Sequence, residues 1–234
     1  MHALALVLAA GQGVRLGREV PKGFVRLRGR TLVDWSVDAL ARAPEVAAVQ
    51  CVVPAGGGSE PVAKPADLPA RIAWLAPIEG GARRQDSVAR GLEAGARARP
   101  DLEWVLVHDA ARCLVEPADA SAVLAAARAT GAALPVLPAS DTVKLLDGGR
   151  VERTLDRARL GLAQTPQAFR IEVLREALEK ASHDGVEGTD CASLVERLGV
   201  EVRTSAGRAG NFKVTHPEDL ARAESVLAAR EAGR

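Results

Sequence analysis

The sequence predicts a doubly wound α/β domain, with a mostly parallel sheet, helices on both faces and a β-arm projecting from it. Three observations carry this expectation. Short apolar runs alternate with helical segments through residue 137, which is the pattern of a sheet built from strand–helix units. The first run, residues 3–9, reads Ala-Leu-Ala-Leu-Val-Leu-Ala with no polar break, as a strand covered on both faces requires. Glycine-rich or charged loops then follow the strands, at the end of an open α/β sheet where ligands bind.

The elements follow in order. After the first strand, Thr31-Leu-Val-Asp34 has the form of a capping box and opens a helix that runs to residue 43, before Pro44. Residues 46–53 form the second strand, with Gly56-Gly-Gly58 beyond it, and the Pro- and Gly-rich residues 54–70 read as loop. A short strand is expected at 72–75, a helix at 84–98, a strand at 104–108, a helix at 117–130 and a strand at 132–137. Residues 141–163 break the alternation. They place Gly148-Gly149 between two short polar, β-capable stretches, as a hairpin arm does. Helices at 171–181 and 189–198, a strand at 200–204 and a last helix at 217–230 complete the chain. No repeat or linker divides it, so residues 1–234 are expected to form one domain, with no second enzyme attached.

Composition narrows the function. The chain has 234 residues, 47% hydrophobic and 26% charged, with a formal net charge of +1. This is the make-up of a globular protein rather than a disordered one. The near-zero charge argues against a sequence-independent nucleic-acid binder, so any anion site must come from local placement of cations. Cys51, Cys113 and Cys191 are too few and too scattered for a disulfide framework or a structural zinc site. A reducing cytoplasm is the expected compartment. The apolar start lacks the basic flank of a signal peptide, and no apolar run reaches the ~18 residues of a membrane span. Of 31 basic residues only five are lysine: Lys22, Lys64, Lys144, Lys180 and Lys213. A chain so inclined to arginine keeps lysine where a compact ammonium is useful.

Four loops are suited to chemistry. The first, Ala9-Ala-Gly-Gln-Gly-Val-Arg15 through Pro21-Lys22, offers Gly11 and Gly13 for close backbone approach and two cations for phosphate. It is neither a dinucleotide fingerprint, since Leu16 stands where the third glycine belongs, nor a Walker loop, which needs Gly-Lys-Ser/Thr. The second, from Gly80-Gly81 to Ser87, leads into a helix N-terminus, a natural anion donor. The third, His108-Asp109-Ala-Ala-Arg112, ends a strand with a carboxylate suited to Mg²⁺. An N-cap or an ion pair with Arg112 is the plainer reading of Asp109, and His108 reads as packed rather than catalytic. The fourth, residues 207–215, carries Lys213, which alone reads as a surface charge.

Together these loops form a recognisable set, with Asp141-Thr-Val-Lys144, Thr165-Pro-Gln167, Thr189-Asp190 and Asn211-Phe-Lys-Val-Thr-x-Pro-Glu-Asp219 between and after them. From about residue 3 to 228 the chain resembles the 2-C-methyl-D-erythritol 4-phosphate cytidylyltransferases of non-mevalonate isoprenoid synthesis. The resemblance implies a fold like that of nucleotide-diphospho-sugar transferases. It also implies transfer of the cytidylyl group of CTP to methylerythritol phosphate, with release of pyrophosphate and with Mg²⁺. The attacking phosphate oxygen is already anionic, so no general base is needed, and positioning and electrostatics should dominate.

Position by position, the resemblance implies that Arg15 and Lys22 stabilise the transition state and that Arg157 and Lys213 place the acceptor. Ala9, Ala10, Gly11, Gly13, Gly81 and Ser87 are implied for the nucleotide, Arg112, Thr142, Arg157 and Thr165 for the acceptor, and Asp109 for the metal. The arm is implied to cross to a second subunit, making a homodimer. The chain departs from the family at Gly23, where Gln commonly follows Pro-Lys, and at Gly210, where Asp is frequent. It departs also at Ala82 and Cys191, each in place of a common acidic residue; the Ala82 change touches the ribose contacts. The runner-up is ribitol-5-phosphate cytidylyltransferase, which differs in the acceptor. A non-catalytic nucleotide-binding dimer is the alternative from another class, and a Rossmann dehydrogenase fails on the missing third glycine.

Overall fold

The structure is a computed structural model that describes residues 2–11, 13, 16–17 and 20–232. Strand β1 (Ala3–Leu8) leads to a short ribbon, β2 (Arg26–Leu27) and β3 (Arg30–Thr31), then to helix α1 (Leu32–Arg42) and β4 (Val46–Val53). Next come β5 (Ala73–Trp74), β6 (Ile78–Glu79), α2 (Arg84–Ala98), β7 (Trp104–Asp109), α3 (Pro117–Ala127) and β8 (Ala132–Pro138). The arm holds β9 (Lys144–Asp147) and β10 (Arg150–Thr154), and β11 (Gly161–Ala163) and β12 (Gln167–Arg170) return the chain to the sheet. Helices α4 (Ile171–His183) and α5 (Cys191–Glu196), strand β13 (Arg203–Ala206) and helix α6 (Pro217–Ala232) complete the described fold.

The main sheet runs β11-β8-β12-β7-β1-β4-β5, with β6 also on β4 and β13 on β8. β1 is parallel to both β4 and β7. The chain therefore leaves β1 toward one edge and returns on its other side at β7. That reversal opens a crevice beyond the carboxyl ends of β1 and β7. β12 enters antiparallel between β7 and β8, so its first residues lie at that same rim.

The alternation in β1 explains the layering. Ala3, Ala5, Val7 and Ala9 face α1 and α3, while Leu4 and Leu6 face α2 and α4. Every one of these side chains is almost fully buried, and each buried leucine contributes roughly 1.5–3 kcal/mol. Small residues on one face let that helix layer approach. The leucines on the other face are met by Gly91 and Gly95 in α2, where an added Cβ would run into Leu6 and Leu4 respectively. Packing thus overrides the poor helix propensity of glycine. A third cluster, with Leu16, Leu32, Leu114, Val214 and Leu227, packs the rim loops against α6.

The capping box forms as expected. Asp34 N–H donates to Thr31 Oγ1 at 3.2 Å and Thr31 N–H to Asp34 Oδ2 at 3.0 Å. The second strand and the 84–98 helix have the expected bounds. Elsewhere the ends move. The strand expected at 200–204 is Arg203–Ala206, set by its register on Ala133–Val136. The helix expected at 189–198 shrinks to Cys191–Glu196, capped by Asp190, whose Oδ1 accepts from Ser193 N–H at 2.9 Å. All three cysteines are free and buried. No helix among the described residues is long and apolar enough to cross a membrane.

Gly91→Ala tests the strand–helix fit. The added Cβ would collide with Leu6 and lie 2.8 Å from Val52 Cγ2. Despite its better helix propensity, the variant should lose about 1 kcal/mol and 2–4 °C of melting temperature. An unchanged or raised melting temperature would show that the layer has slack.

Candidate active site

A cleft of about 460 Å³ opens at the rim where β1, β7 and the start of α2 meet. Ala9, Ala10, Gly11, Gly13, Lys22, Gly81, Ser87, Asp109 and Lys213 all lie on its lining. These residues come from four loops up to 204 positions apart in the chain, and the sheet brings them together. Arg15 lies outside the described residues. Ala82, Arg83 and Arg84 complete the edge contributed by α2. Four cations, Lys22, Arg83, Arg84 and Lys213, thus face one carboxylate, Asp109, among the described lining residues. In a chain of net charge +1 this is a strong local excess, placed where a polyanion would enter.

The first loop depends on glycine for its shape. Gly13 has φ +71, and a Cβ there would come within 2.5 Å of Lys22 Cβ. Lys22 N–H donates to Gly11 carbonyl at 3.2 Å, which fixes the lysine's start against the loop. The second loop docks on the first at Gly80, where a Cβ would lie 2.7 Å from both Ala10 Cβ and Ser87 Oγ. Ser87 is buried, accepts from Gly81 N–H at 3.0 Å and donates to Arg83 carbonyl at 3.1 Å. It braces the loop and engages the Gly81 donor.

Asp109 is the electrostatic centre. Its Oδ1 accepts from Arg84 Nη2 at 3.0 Å and Nε at 3.2 Å, and its Oδ2 accepts from Lys213 Nζ at 2.7 Å. Burial alone would raise the carboxyl's pKa, but Arg84 and Lys213 overcome it and hold the group well below the usual carboxylate range. The expected plain partner, Arg112, does not pair with Asp109. Its guanidinium instead donates to the carbonyls of Asn211 at 2.8 Å and Ala163 at 3.0 Å.

A second layer fixes these groups. Thr165 is buried. Its hydroxyl accepts from Asp109 N–H at 3.1 Å and lies 3.1 Å from His108 Nδ1. Asn211, also buried, donates from Nδ2 to Thr165 carbonyl at 2.9 Å. Gln164 makes paired bonds with the Arg208 backbone, and the Arg208 guanidinium reaches Asp119 at 2.7 Å and Glu116 at 2.8 Å. The loop bearing Lys213 is therefore tied to the strand bearing Asp109. At the next helix, Asp219 Oδ2 accepts from Thr215 and His216 N–H at 2.7 and 2.8 Å.

Thr142 and Arg157 lie apart from this cleft, on the exposed arm. Arg157 donates to Ser140 carbonyl at 2.8 Å. Leu146, Val151 and Leu162, exposed by 57–63%, are on or beside the same arm. His108 is sealed in the core as expected. Burial lowers its pKa to about 4, so it is neutral and does not face the cleft.

Sequence reasoning passed over Arg84, Gln164, Asn211 and Arg208 as individual site residues. Arg84 sat in a loop already marked, beside an equally charged Arg83, and only the fold shows which of the two reaches Asp109. The other three act through buried or half-buried hydrogen bonds between segments 44 to 92 residues apart, which spacing does not reveal.

The fold and the cleft define a doubly wound α/β protein with a cationic cleft at its switch point. A family model described as IspD, 2-C-methyl-D-erythritol 4-phosphate cytidylyltransferase, matches residues 3–229, and the chain belongs to that family. It is 45% identical over 233 residues to the bifunctional enzyme IspD/IspF of Rhodopseudomonas palustris strain CGA009, covering 96% of this chain and 56% of that protein. The corresponding enzyme of Nitrobacter hamburgensis is 43% identical, with 96% and 55% covered. The chain thus spans just over half the length of these relatives. Among solved structures it is similar to 2-C-methyl-D-erythritol 4-phosphate cytidylyltransferase from Thermus thermophilus, with TM-score 0.75, 38% identity and 95% and 98% of the two chains covered. The Francisella tularensis protein gives TM-score 0.78 at 25% identity over 96% and 99%.

The buried His108 gives a pH test. With its folded pKa near 4 and an ordinary value near 6.5, the unfolded chain takes the proton first. Stability from this residue is full above about pH 6.5, is lost as pH falls through that window, and levels off near 4. Urea unfolding of wild type and His108→Asn from pH 7 to 4 should show the wild type losing more stability over that range. Parallel curves would overturn the assignment.

Proposed function

We propose that this chain transfers the cytidylyl group of CTP to 2-C-methyl-D-erythritol 4-phosphate, giving 4-diphosphocytidyl-2-C-methyl-D-erythritol and pyrophosphate in the cytoplasm. The observation that carries this reading is the convergence of Lys22, Arg84 and Lys213 on a cleft whose only described carboxylate is Asp109. Two anions must meet for the reaction, and fixed cations lower the repulsion between them. The acceptor's phosphate oxygen attacks the α-phosphorus, and pyrophosphate leaves with the electron pair of the broken P–O bond. No side chain has to remove a proton. This agrees with a described lining that holds no histidine or cysteine.

Lys22, with Arg15 on the same loop, stabilises charge on the triphosphate. Ala9, Ala10, Gly11, Gly13, Gly81 and Ser87 shape the nucleotide's seat. Mg²⁺ fits the donor set. Asp109 is ionised and on the cleft lining, and no group of three acidic, histidine or cysteine side chains among the described residues would hold an ion unaided. A magnesium ion of this kind rests on one carboxylate and the substrate phosphates. When bound, it neutralises phosphate charge.

The acceptor's residues are divided. Lys213 is at the cleft, Arg112 and Thr165 brace it, and Thr142 and Arg157 stand on the arm. The arm completes the cleft of a second copy, making a homodimer. Its three exposed apolar side chains support this, because a free protomer would leave them in water.

Pyrophosphate release from CTP, assayed in parallel with methylerythritol phosphate and ribitol 5-phosphate, tests the reaction. Release should depend on the first acceptor. Preference for ribitol phosphate would reassign the acceptor, and no release with either would leave only a nucleotide-binding dimer. In the same assay Lys22→Ala should lower kcat by about 100-fold or more, with a smaller change in CTP binding.

Leu146→Asp combined with Val151→Asp should turn the dimer into a monomer by light scattering and lower turnover by about a hundredfold, with CTP still bound. An active monomer would refute the shared site.

A further inference from the structure

We propose that Lys213 is an exchangeable counter-ion. It occupies Asp109 Oδ2 until a divalent cation arriving with the nucleotide takes that oxygen. The inference deepens the cytidylyltransferase reading and rests on it.

The two cations on Asp109 are not equivalent. Arg84 places two nitrogens on Oδ1, at 3.0 and 3.2 Å, and its third nitrogen, Nη1, lies 3.4 Å from the buried Cys191 Sγ. It stands on the first residue of α2, and its side chain is 29% exposed. Lys213 makes one contact with the carboxylate, 2.7 Å to Oδ2, and is 40% exposed. Oδ1 thus accepts two N–H groups, and Oδ2 accepts one. A hard divalent cation that needs a carboxylate oxygen is directed to Oδ2. There it would stand within a few ångströms of the ammonium, and like charges so near repel.

One of them must yield, and the lysine is built to do so. Its charge is a point on a flexible four-carbon stem. Its backbone, by contrast, is held. Val214 N–H donates to Ala111 carbonyl at 2.8 Å, and Asn211 is locked to Thr165. The stem pivots from a fixed base while Arg84 keeps the carboxylate oriented. Asp109 exchanges one cation for another and is never left as an uncompensated buried charge, a state that would be costly. The freed ammonium remains on the cleft wall.

Lys213 therefore competes with the metal, which direct metal binding can test without turnover. The probe is Mn²⁺, followed by electron paramagnetic resonance of the free ion, with CTP equimolar to the protein, no acceptor, and the binding by the same CTP without protein subtracted. Lys213→Met should bind Mn²⁺ about fivefold more tightly than wild type, because the metal no longer breaks a partly exposed ion pair. Lys213→Arg, which keeps a cation at the position, should show no such gain. Arg83→Met controls for general loss of positive charge. Arg83 lines the cleft but pairs with Asp86 at 2.8 Å, so its removal should tighten Mn²⁺ less. Unchanged or weaker binding by Lys213→Met, or equal gains at positions 83 and 213, would overturn the exchange and leave the nucleotide reading intact. No CTP-dependent Mn²⁺ binding in the wild type would overturn both.

Discussion

Asp109 carries an ionised carboxylate at the end of a central strand, in surroundings where burial by itself favours the neutral acid. Two cations from segments far apart in the chain keep it charged, one on each oxygen. Their placement depends on the rest of the rim. Arg84 needs α2 to begin where it does, and α2 in turn needs Gly91 and Gly95 to seat against the leucines of β1. Lys213 needs the loop after β13, which is fastened by Gln164, Arg208 and Asn211. A charge that would be worth little on the surface becomes, at this depth, the reference point for the cleft.

The same rim gives a protein with almost no net charge a concentrated patch of cations. Cations elsewhere are largely spent on local ion pairs: Arg26 with Glu60, Arg42 with Asp38 and Asp67, and Arg175 with Glu93. At the cleft they outnumber the carboxylate, so the field is concentrated where low-dielectric walls strengthen it. Catalysis of the proposed kind asks little else of the chain. His108, next to Asp109, is buried and neutral, and its role is packing and a hydrogen bond to Thr165.

Much of this architecture was legible from the sequence, for reasons that can be stated. The β1 run, the Thr31–Asp34 box and the 84–98 helix are local features, and local physics decides them. Strands β6 and β12 escaped because they are two and four residues long and take their form from neighbours. The strand at 203–206 was misplaced because pairing with β8, not its own apolar pattern, sets its register. In the site, the marked loops do meet at one cleft, but Arg84, Arg208 and Asn211 on those loops escaped, because their partners lie on distant segments. Thr165 illustrates the limit. Its motif was visible, but its hydroxyl braces Asp109 from behind, and only the packed fold reveals that direction.

The arm leaves and re-enters the sheet at adjoining points. Leu137 pairs with Leu162 across β8 and β11, and Ala139 N–H donates to Leu160 carbonyl at 3.1 Å. The intervening segment is thereby a cassette clasped at its neck, apart from the sheet that builds the cleft. Changes in such a cassette, away from Thr142, Arg157 and its apolar contact face, leave the scaffold beneath it undisturbed. Diversification within this architecture should therefore accumulate in the arm's turn at Gly148-Gly149 and its flanks, while the central strands stay nearly fixed.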